Sequence, residues 1–406
     1  MRILFANTLH FRHGGPSVHT FDLVELLRNA GHSAEIFSMK HERNLESEIA
    51  EYFPSKIDYP ALLEEGGLKN SLKVLSRTFY SRESQKNFEA LLDHYKPDIV
   101  HLQNYLHHLT PSIIRPARKR GIPVFWTLHD SVLVCPNTNL FNDRLHGPCT
   151  KCDSTFKRLI NPIINKCKKD SRAASFIASL EALSFQIIGL EKMIDFFISP
   201  SKFLIGQLNK MGFQRRNIYY IPNFSNFPSK DTPIGDYVLY FGRIENAKGI
   251  FDLIEAVESI QNDISLIIAG GGSKQGEIIE SDRIHYIGHL GKDELIDAIS
   301  NSRFTVMPSI CYENAPLTVA ESMLLSKPVI GSDIGGIPEL ISHGETGYIF
   351  EPGNTKELSG YIKKLWNSPN LVKRMGKRGR TIASVRHSPQ KYLNELMKLY
   401  KNSREK

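Results

Sequence analysis

No stretch of this 406-residue sequence approaches the ~18 uninterrupted apolar residues of a bilayer-spanning helix, so no transmembrane helix is expected. The amino end, Met1-Arg2-Ile3-Leu4-Phe5, runs into strand-like sequence without a cleavable leader pattern. The expected location is the cytoplasm, with peripheral contact at the inner face of the plasma membrane. Internal repeats and low-complexity tracts are missing too, which leaves a solenoid array without support. Cysteine is scarce at five residues, and four of them, Cys135, Cys149, Cys152 and Cys167, fall inside a 33-residue window. In a cytoplasmic setting that excludes a disulfide framework, and the Cys149-Thr150-Lys151-Cys152 spacing is that of a metal knuckle. A structural zinc on these four is one reading and unligated thiols the other; Cys311 reads as ordinary packing.

What is present is the composition of an ordinary globular protein, 41% hydrophobic and 23% charged. The length exceeds the ~250 to 300 residues at which single cores stop growing, so two domains are expected. The net charge of +8 conceals a strong asymmetry. Residues 101–230 hold 18 Lys/Arg against 7 Asp/Glu, residues 251–350 hold 5 against 15, and residues 351–406 hold 14 against 4. The basic stretches suit phosphate-rich partners such as an anionic membrane surface, or are simply solvated.

Apolar periodicity over Val18 to Leu27, closed by Gly31, predicts a helix. Apolar runs at Ala34–Phe37, Ile99–Leu102, Pro123–Leu128, Phe196–Ser199 and Ile218–Ile221 predict buried parallel strands. Residues 223–235, rich in Asn, Ser, Pro and Asp, read as a linker. The alternation then restarts with strands at Tyr237–Phe241, Ser265–Ala269, Ile284–Ile287, Phe304–Met307 and Val329–Gly331. That is a second doubly wound unit. Amphipathic basic helices are expected around Lys356–Trp366 and Tyr392–Tyr400.

Two glutamates eight residues apart, Glu313 and Glu321, straddle the junction between the strand at Phe304 and a helix read from Ala315 to Leu325. Ligands bind at such carboxyl ends of parallel strands. Tyr237–Phe241 likewise runs into Gly242-Arg243 and Lys248-Gly249, where a guanidinium fork, an ammonium and a helix amino end together suit a diphosphate. Taken alone, each pair is equally well a set of solvated surface charges.

The joint order of these motifs resembles the retaining glycosyltransferases of family 4. The resemblance runs through Gly14-Gly15, Lys96-Pro97-Asp98-Ile99-Val100-His101-Leu102, Thr127-Leu128-His129-Asp130, Ile221-Pro222-Asn223, Gly242-Arg243 with Lys248-Gly249, the glutamate pair, and Asp333-Ile334-Gly335-Gly336-Ile337-Pro338-Glu339. It implies an α/β fold of the glycosyltransferase B type, with two Rossmann-like doubly wound domains facing a cleft and a C-terminal helix crossing back to the first. The expected division is an acceptor-binding domain over 1–225 carrying the Cys-rich insertion 135–167, a nucleotide-sugar domain over 226–385, and the returning helix over 386–406. The resemblance also implies roles: Glu321 on the nucleotide ribose, Glu313 and His129 on the donor sugar, and Arg243 and Lys248 on the departing diphosphate. Backbone of Asn314, Ala315, Pro316 and Leu317 would hold the diphosphate, with Gly14, Gly15 and Gly270 as further backbone contacts. The implied reaction moves a sugar, a hexose or relative, from a nucleotide diphosphate sugar to a glycan or lipid-linked acceptor in cell-surface polysaccharide biosynthesis, with retention and without a catalytic metal. An epimerase or a phosphorylase on the same fold is the alternative. A zinc-containing nucleic-acid binder is a more distant one that leaves the acidic second domain unexplained, so nucleic acid is not an expected partner.

Overall fold

The computed structural model describes residues 1–56, 79–106, 108–145 and 147–404. Two six-stranded parallel sheets dominate it. The first runs in the order β2-β1-β3-β4-β7-β8, with β1 Arg2–Ala6, β2 Ser33–Phe37, β3 Ile99–Leu102, β4 Val124–Thr127, β7 Phe196–Ser199 and β8 Ile218–Tyr220. The second runs β11-β10-β9-β12-β13-β14, with β9 Tyr237–Phe241, β10 Ser265–Ala269, β11 Ile284–Gly288, β12 Phe304–Met307, β13 Val329–Ser332 and β14 Gly347–Phe350. Both orders reverse direction next to the first strand of the set, and the loops at the strand carboxyl ends there are where a doubly wound sheet offers a crevice. The remaining pair, β5 Phe141–Asn142 and β6 Gly147–Pro148, is a short antiparallel hairpin inside the Cys-rich insertion.

Side chains alternate along each strand, so each sheet feeds two cores. In β1, Leu4 and Ala6 join the layer with Phe88, Leu91 and Trp126, while Ile3 and Phe5 face the opposite layer. That opposite layer is completed by Tyr392, Leu393, Leu396, Met397 and Tyr400 of the helix Pro389–Arg404, which follows the whole second sheet in sequence yet packs on the first. Arg404 adds an ion pair to Asp98 at 3.1 Å.

Several elements depart from the expectation. The first helix, α1 Gly14–Asn29, starts four residues early, placing Pro16 third in the helix. The glutamate-bearing helix spans Leu317–Leu324, beginning two residues later than expected with Pro316 at its cap, so Glu321 stands one turn in. Strand β14 and the helix Pro369–Arg386 were not anticipated; the latter hides behind glycines and charge. Gly376 is required there because a β-carbon would stand 1.9 Å from the carbonyl oxygen of Ser326. The helix Thr155–Ile164, capped by Ser154, carries Pro162 in its last turn.

Candidate functional site

The second-domain loops meet through glycine. Gly249 lies in the left-handed region at φ 65°, and a β-carbon there would stand 1.9 Å from the Pro308 carbonyl oxygen. The short helix Asn246–Lys248 therefore seats directly on the loop after β12, where Ile310 and Cys311 amides donate to the Ala247 carbonyl at 3.1 and 3.2 Å. This contact delivers Lys248 to Glu313: its Nζ donates to Oε1 at 2.5 Å, and Ser309 Oγ donates to the same oxygen at 2.7 Å. From the other side Gly335 and Gly336 press on the same loop. A β-carbon on Gly336 would lie 1.8 Å from the Asn314 carbonyl oxygen, and the Gly336 amide donates to the Glu313 carbonyl at 2.7 Å. The glycine pair of the Asp333–Glu339 motif is thus a backing plate for Glu313.

Both partners of this ion pair are largely buried, their side chains 15% and 14% exposed. Burial works against both charges, yet the Lys248 ammonium and the Ser309 hydroxyl hold the Glu313 carboxyl below its ordinary range, and Glu313 holds Lys248 above its own. Arg243 sits differently, 66% exposed and 3.2 Å from Glu245. Glu321 is the counterpoint. Among the described residues its carboxylate has no hydrogen-bond or ion-pair partner. Burial, with the Asp22 carboxylate of α1 adding to it against Lys292, pushes Glu321 up to about 7. Gly270 has a packing role: a β-carbon would stand 1.9 Å from the Gly242 carbonyl oxygen, so this turn carries the Gly242-Arg243 loop.

The glutamate loop also joins the two sheets. Asn314 Nδ2 donates to the carbonyls of Leu128 and His129 at 3.0 and 3.1 Å, and its Oδ1 accepts from Ser201 Oγ at 2.6 Å. Its side chain is therefore committed to the first domain. Asn223 donates to the Ala315 carbonyl at 3.4 Å, and the Phe203 and Tyr312 rings lie 5.0 Å apart. Glu339 accepts from the Lys202 amide at 3.1 Å and from the Phe203 amide, capping the helix Lys202–Lys210, while Arg386 donates to the Glu339 carbonyl. Ser201, Ser309 and Glu339 were missed from sequence except where a motif contained them, since contacts between distant segments leave no periodic signal.

On the first-domain side His129 Nε2 is 2.7 Å from Gln103 Oε1, and burial pushes the imidazole down to about 4, so it is neutral near pH 7. Both residues line a small cavity with Asn104, Leu128, Asp130 and Thr138. Among the described residues Gln103 Nε2 and Tyr105 Oη find no hydrogen-bond partner there. Gly14, at φ 69°, and Gly15 have open space where a β-carbon would stand, leaving the amino end of α1 unobstructed. Behind His129 a buried polar chain links α1 to the returning helix: His19 Nε2 meets the Tyr392 hydroxyl at 3.3 Å, Tyr392 is hydrogen-bonded to Thr127, and Thr127 Oγ1 meets His101 Nε2 at 2.8 Å. His101 Nδ1 then meets the Tyr400 hydroxyl at 2.5 Å.

The four cysteines converge, all as free thiols. Hairpin β5-β6 brings the Cys149 amide to the Leu140 carbonyl at 2.7 Å, the Cys135 sulfur accepts from the backbone of Leu140 and Asn137, and Asn142 Nδ2 donates to Cys167 Sγ at 3.1 Å. Burial pushes the Cys135 thiol up to about 11 and Cys152 up to about 12, with Cys149 and Cys167 adding to the push on both. Among the described residues no set of three or more His, Cys, Asp or Glu side chains is arranged to hold a metal ion. The thiols are gathered, but not in a closed coordination shell.

Residues 13–226 match the family model of Glycosyltransferase Family 4, and residues 226–382 match that of Glycosyl transferases group 1. The chain belongs to Glycosyltransferase Family 4. It is 28% identical over 181 residues to an alpha-D-kanosaminyltransferase of Streptomyces kanamyceticus, across 42% of this chain and 46% of that one. The chain thus spans less than half the length of that curated relative. Over 358 residues it is 27% identical to an uncharacterized 42.6 kDa protein in the cps region of Klebsiella pneumoniae, across 84% of this chain and 87% of that one. The crystal structure of Anabaena HepE in complex with UDP-glucose superimposes with a TM-score of 0.65 at 15% identity, covering 99% of this chain and 100% of that one. The two parallel sheets and the returning helix are the glycosyltransferase B fold.

Proposed function

We propose that the protein is a retaining glycosyltransferase that moves a hexosyl or related group from a nucleotide diphosphate sugar to a hydroxyl of a glycan or lipid-linked acceptor in cell-surface polysaccharide assembly. The observation that carries this is the buried Lys248–Glu313 pair on glycine-locked loops that touch the His129 strand end through Asn314, with an unpartnered Glu321 on the helix that follows. In this reading Glu321 accepts hydrogen bonds from ribose hydroxyls, Glu313 and His129 meet the donor sugar, and backbone of Asn314, Ala315, Pro316 and Leu317 meets the diphosphate. Gly14 and Gly15 offer backbone at the open amino end of α1. The bond from the sugar's anomeric carbon to the diphosphate oxygen breaks, and the new bond to the acceptor oxygen forms on the same face. The acceptor proton passes to the departing diphosphate, whose growing charge is met by Lys248 and Arg243. Glu313 is already engaged by Lys248 and Ser309, which favours a positioning role over that of a nucleophile. The division at 1–225, 226–385 and 386–406 is part of the proposal, as is work in the cytoplasm against the inner membrane face.

Thermal stabilisation across a panel of UDP-, GDP-, ADP- and dTDP-sugars tests the donor site, since a ligand bound only by the native state raises Tm with its affinity. A shift for one donor family, lost in Glu321→Ala, is expected; no shift with any donor overturns the reading. Product analysis separates it from the rivals: donor isomerised without acceptor marks an epimerase, and phosphate-dependent breakdown of a disaccharide marks a phosphorylase. For the Cys-rich insertion we propose a structural zinc held by Cys135, Cys149, Cys152 and Cys167, on the strength of the knuckle spacing and the converging thiols. About one zinc per chain in protein purified without chelators, lost in Cys149→Ser with a lowered Tm, is the expected result, and metal-free native protein refutes it.

A further inference from the structure

Two helices, Thr155–Ile164 in the Cys-rich insertion and Arg172–Ile187 just after it, pack against each other yet leave large apolar side chains in water. Phe156 is 72% exposed, Ile164 65%, Phe176 48% and Ile187 77%. With Ile188 they make five of the eleven large apolar side chains exposed among the described residues, gathered within 33 positions. Scattered exposed apolar residues are normal, whereas a concentration of them marks an interaction face. Spacing agrees: Phe176, Leu180, Leu183 and Ile187 follow at alternating four- and three-residue steps, one stripe of a helix.

The same segment is strongly cationic, with seven Lys/Arg against two Asp over residues 151–172. Both carboxylates are already matched, Asp153 to Lys157 at 2.9 Å and Asp170 to Arg144. Lys166, Lys168, Lys169 and Arg172 are therefore left around the connection between the two helices.

We propose that this helical hairpin is an interfacial docking surface for an anionic lipid membrane. The apolar side chains enter the boundary between headgroups and acyl chains, and the lysines meet the anionic headgroups. Charge selects this occupant. A second copy applied by twofold symmetry would set like charges against each other, and a nucleic acid would need the cations but not the phenylalanines and isoleucines. The proposal rests on the hairpin's own surface and not on the donor site, so each fails separately.

The test is co-sedimentation of the full chain with vesicles of phosphatidylglycerol in phosphatidylcholine, beside phosphatidylcholine alone. Binding to the anionic vesicles only, weakened by salt, is expected. It should fall about tenfold or more in Phe156→Ser/Ile164→Ser/Phe176→Ser/Ile187→Ser, and comparably in Lys166→Glu/Lys168→Glu/Lys169→Glu/Arg172→Glu. Both variants should keep the wild-type Tm and the wild-type nucleotide-sugar shift, because the substituted side chains lie on the outside of the hairpin. Indifference to both vesicle types, or equal binding by wild type and both variants, overturns the proposal. So does a dimer seen by light scattering that the apolar variant abolishes, which assigns the face to a second copy.

Discussion

The two sides of the cleft are built on opposite terms. On the second-domain side, Gly249, Gly270, Gly335 and Gly336 sit where any β-carbon would overlap a backbone atom by an ångström or more, so the loops carrying Arg243, Lys248 and Glu313 are held by main-chain contact. On the first-domain side, Gly14 and Gly15 face open space, and among the described residues Gln103 Nε2 and Tyr105 Oη stay unpaired beside a cavity. The contrast lies in the backbone: the loops of one wall are locked in place, with Glu321 left as its unpaired acceptor, while the other wall has room at its glycines.

Lys248→Ala strikes the locked wall hardest. It should slow turnover by about two to three orders of magnitude, because the proposed mechanism sets this charge against the leaving group and its loss leaves Glu313 buried with only Ser309. Arg243→Ala, exposed and nearly unattached, should do the same with no loss of Tm. Steady-state kinetics with a saturating donor reads both, and near wild-type turnover removes the residue from the chemistry.

Gly336→Ala should cost about 1–3 kcal/mol in denaturant unfolding, since the loop behind Glu313 must shift to admit a methyl group. Unchanged stability would mean the wall is softer than its contacts suggest.

The pH dependence of Glu321 is subtler. Its folded-state pKa, about 7, lies above the ordinary 4.5, so folding takes up a proton, and this contribution is full below pH 4.5 and lost as pH rises through 7. The ligand-free protein should therefore lose stability over that window, and Glu321→Gln should flatten the loss; parallel Tm profiles of the two proteins would contradict it.

Gly15→Ala closes the series on the open wall. With nothing within 4 Å of the added methyl, stability should stay within about 0.5 kcal/mol of wild type. A larger loss would show that this side is as tightly fitted as the other.

Much of this architecture was legible in the sequence because parallel strands buried on both faces write themselves as apolar runs. The strands at Ile99–Leu102, Phe196–Ser199, Tyr237–Phe241 and Ser265–Ala269 were readable to the residue. The sequence also singled out Lys248 and Glu313, which the fold brings into contact across 65 positions. It could not show that Asn314 spends its side chain on Leu128, His129 and Ser201, because that depends on how the two sheets meet. Nor could it show that the segment at Pro162 stays helical: the proline removes one amide donor, and only Ile163 and Ile164 follow it before the helix ends. Strand β14 opens on Gly347 with only three apolar residues after it, and the helix Pro369–Arg386 is glycine-rich and charged, so neither pattern stands out.

The buried chain from His19 through Tyr392, Thr127 and His101 to Tyr400 has a consequence in time. During synthesis the first sheet emerges well before the helix that supplies both phenols, with the entire second domain made in between. Until that helix arrives, His101, which burial pushes down to about 3, faces an exposed apolar layer with one of its ring nitrogens unanswered. The nascent first domain is thus expected to remain a protease-sensitive, chaperone-accessible intermediate, and a chain ending at Ser388 should be cleaved within residues 1–225 under conditions that leave the full chain intact. Equal resistance of the two would show that the first domain completes itself alone.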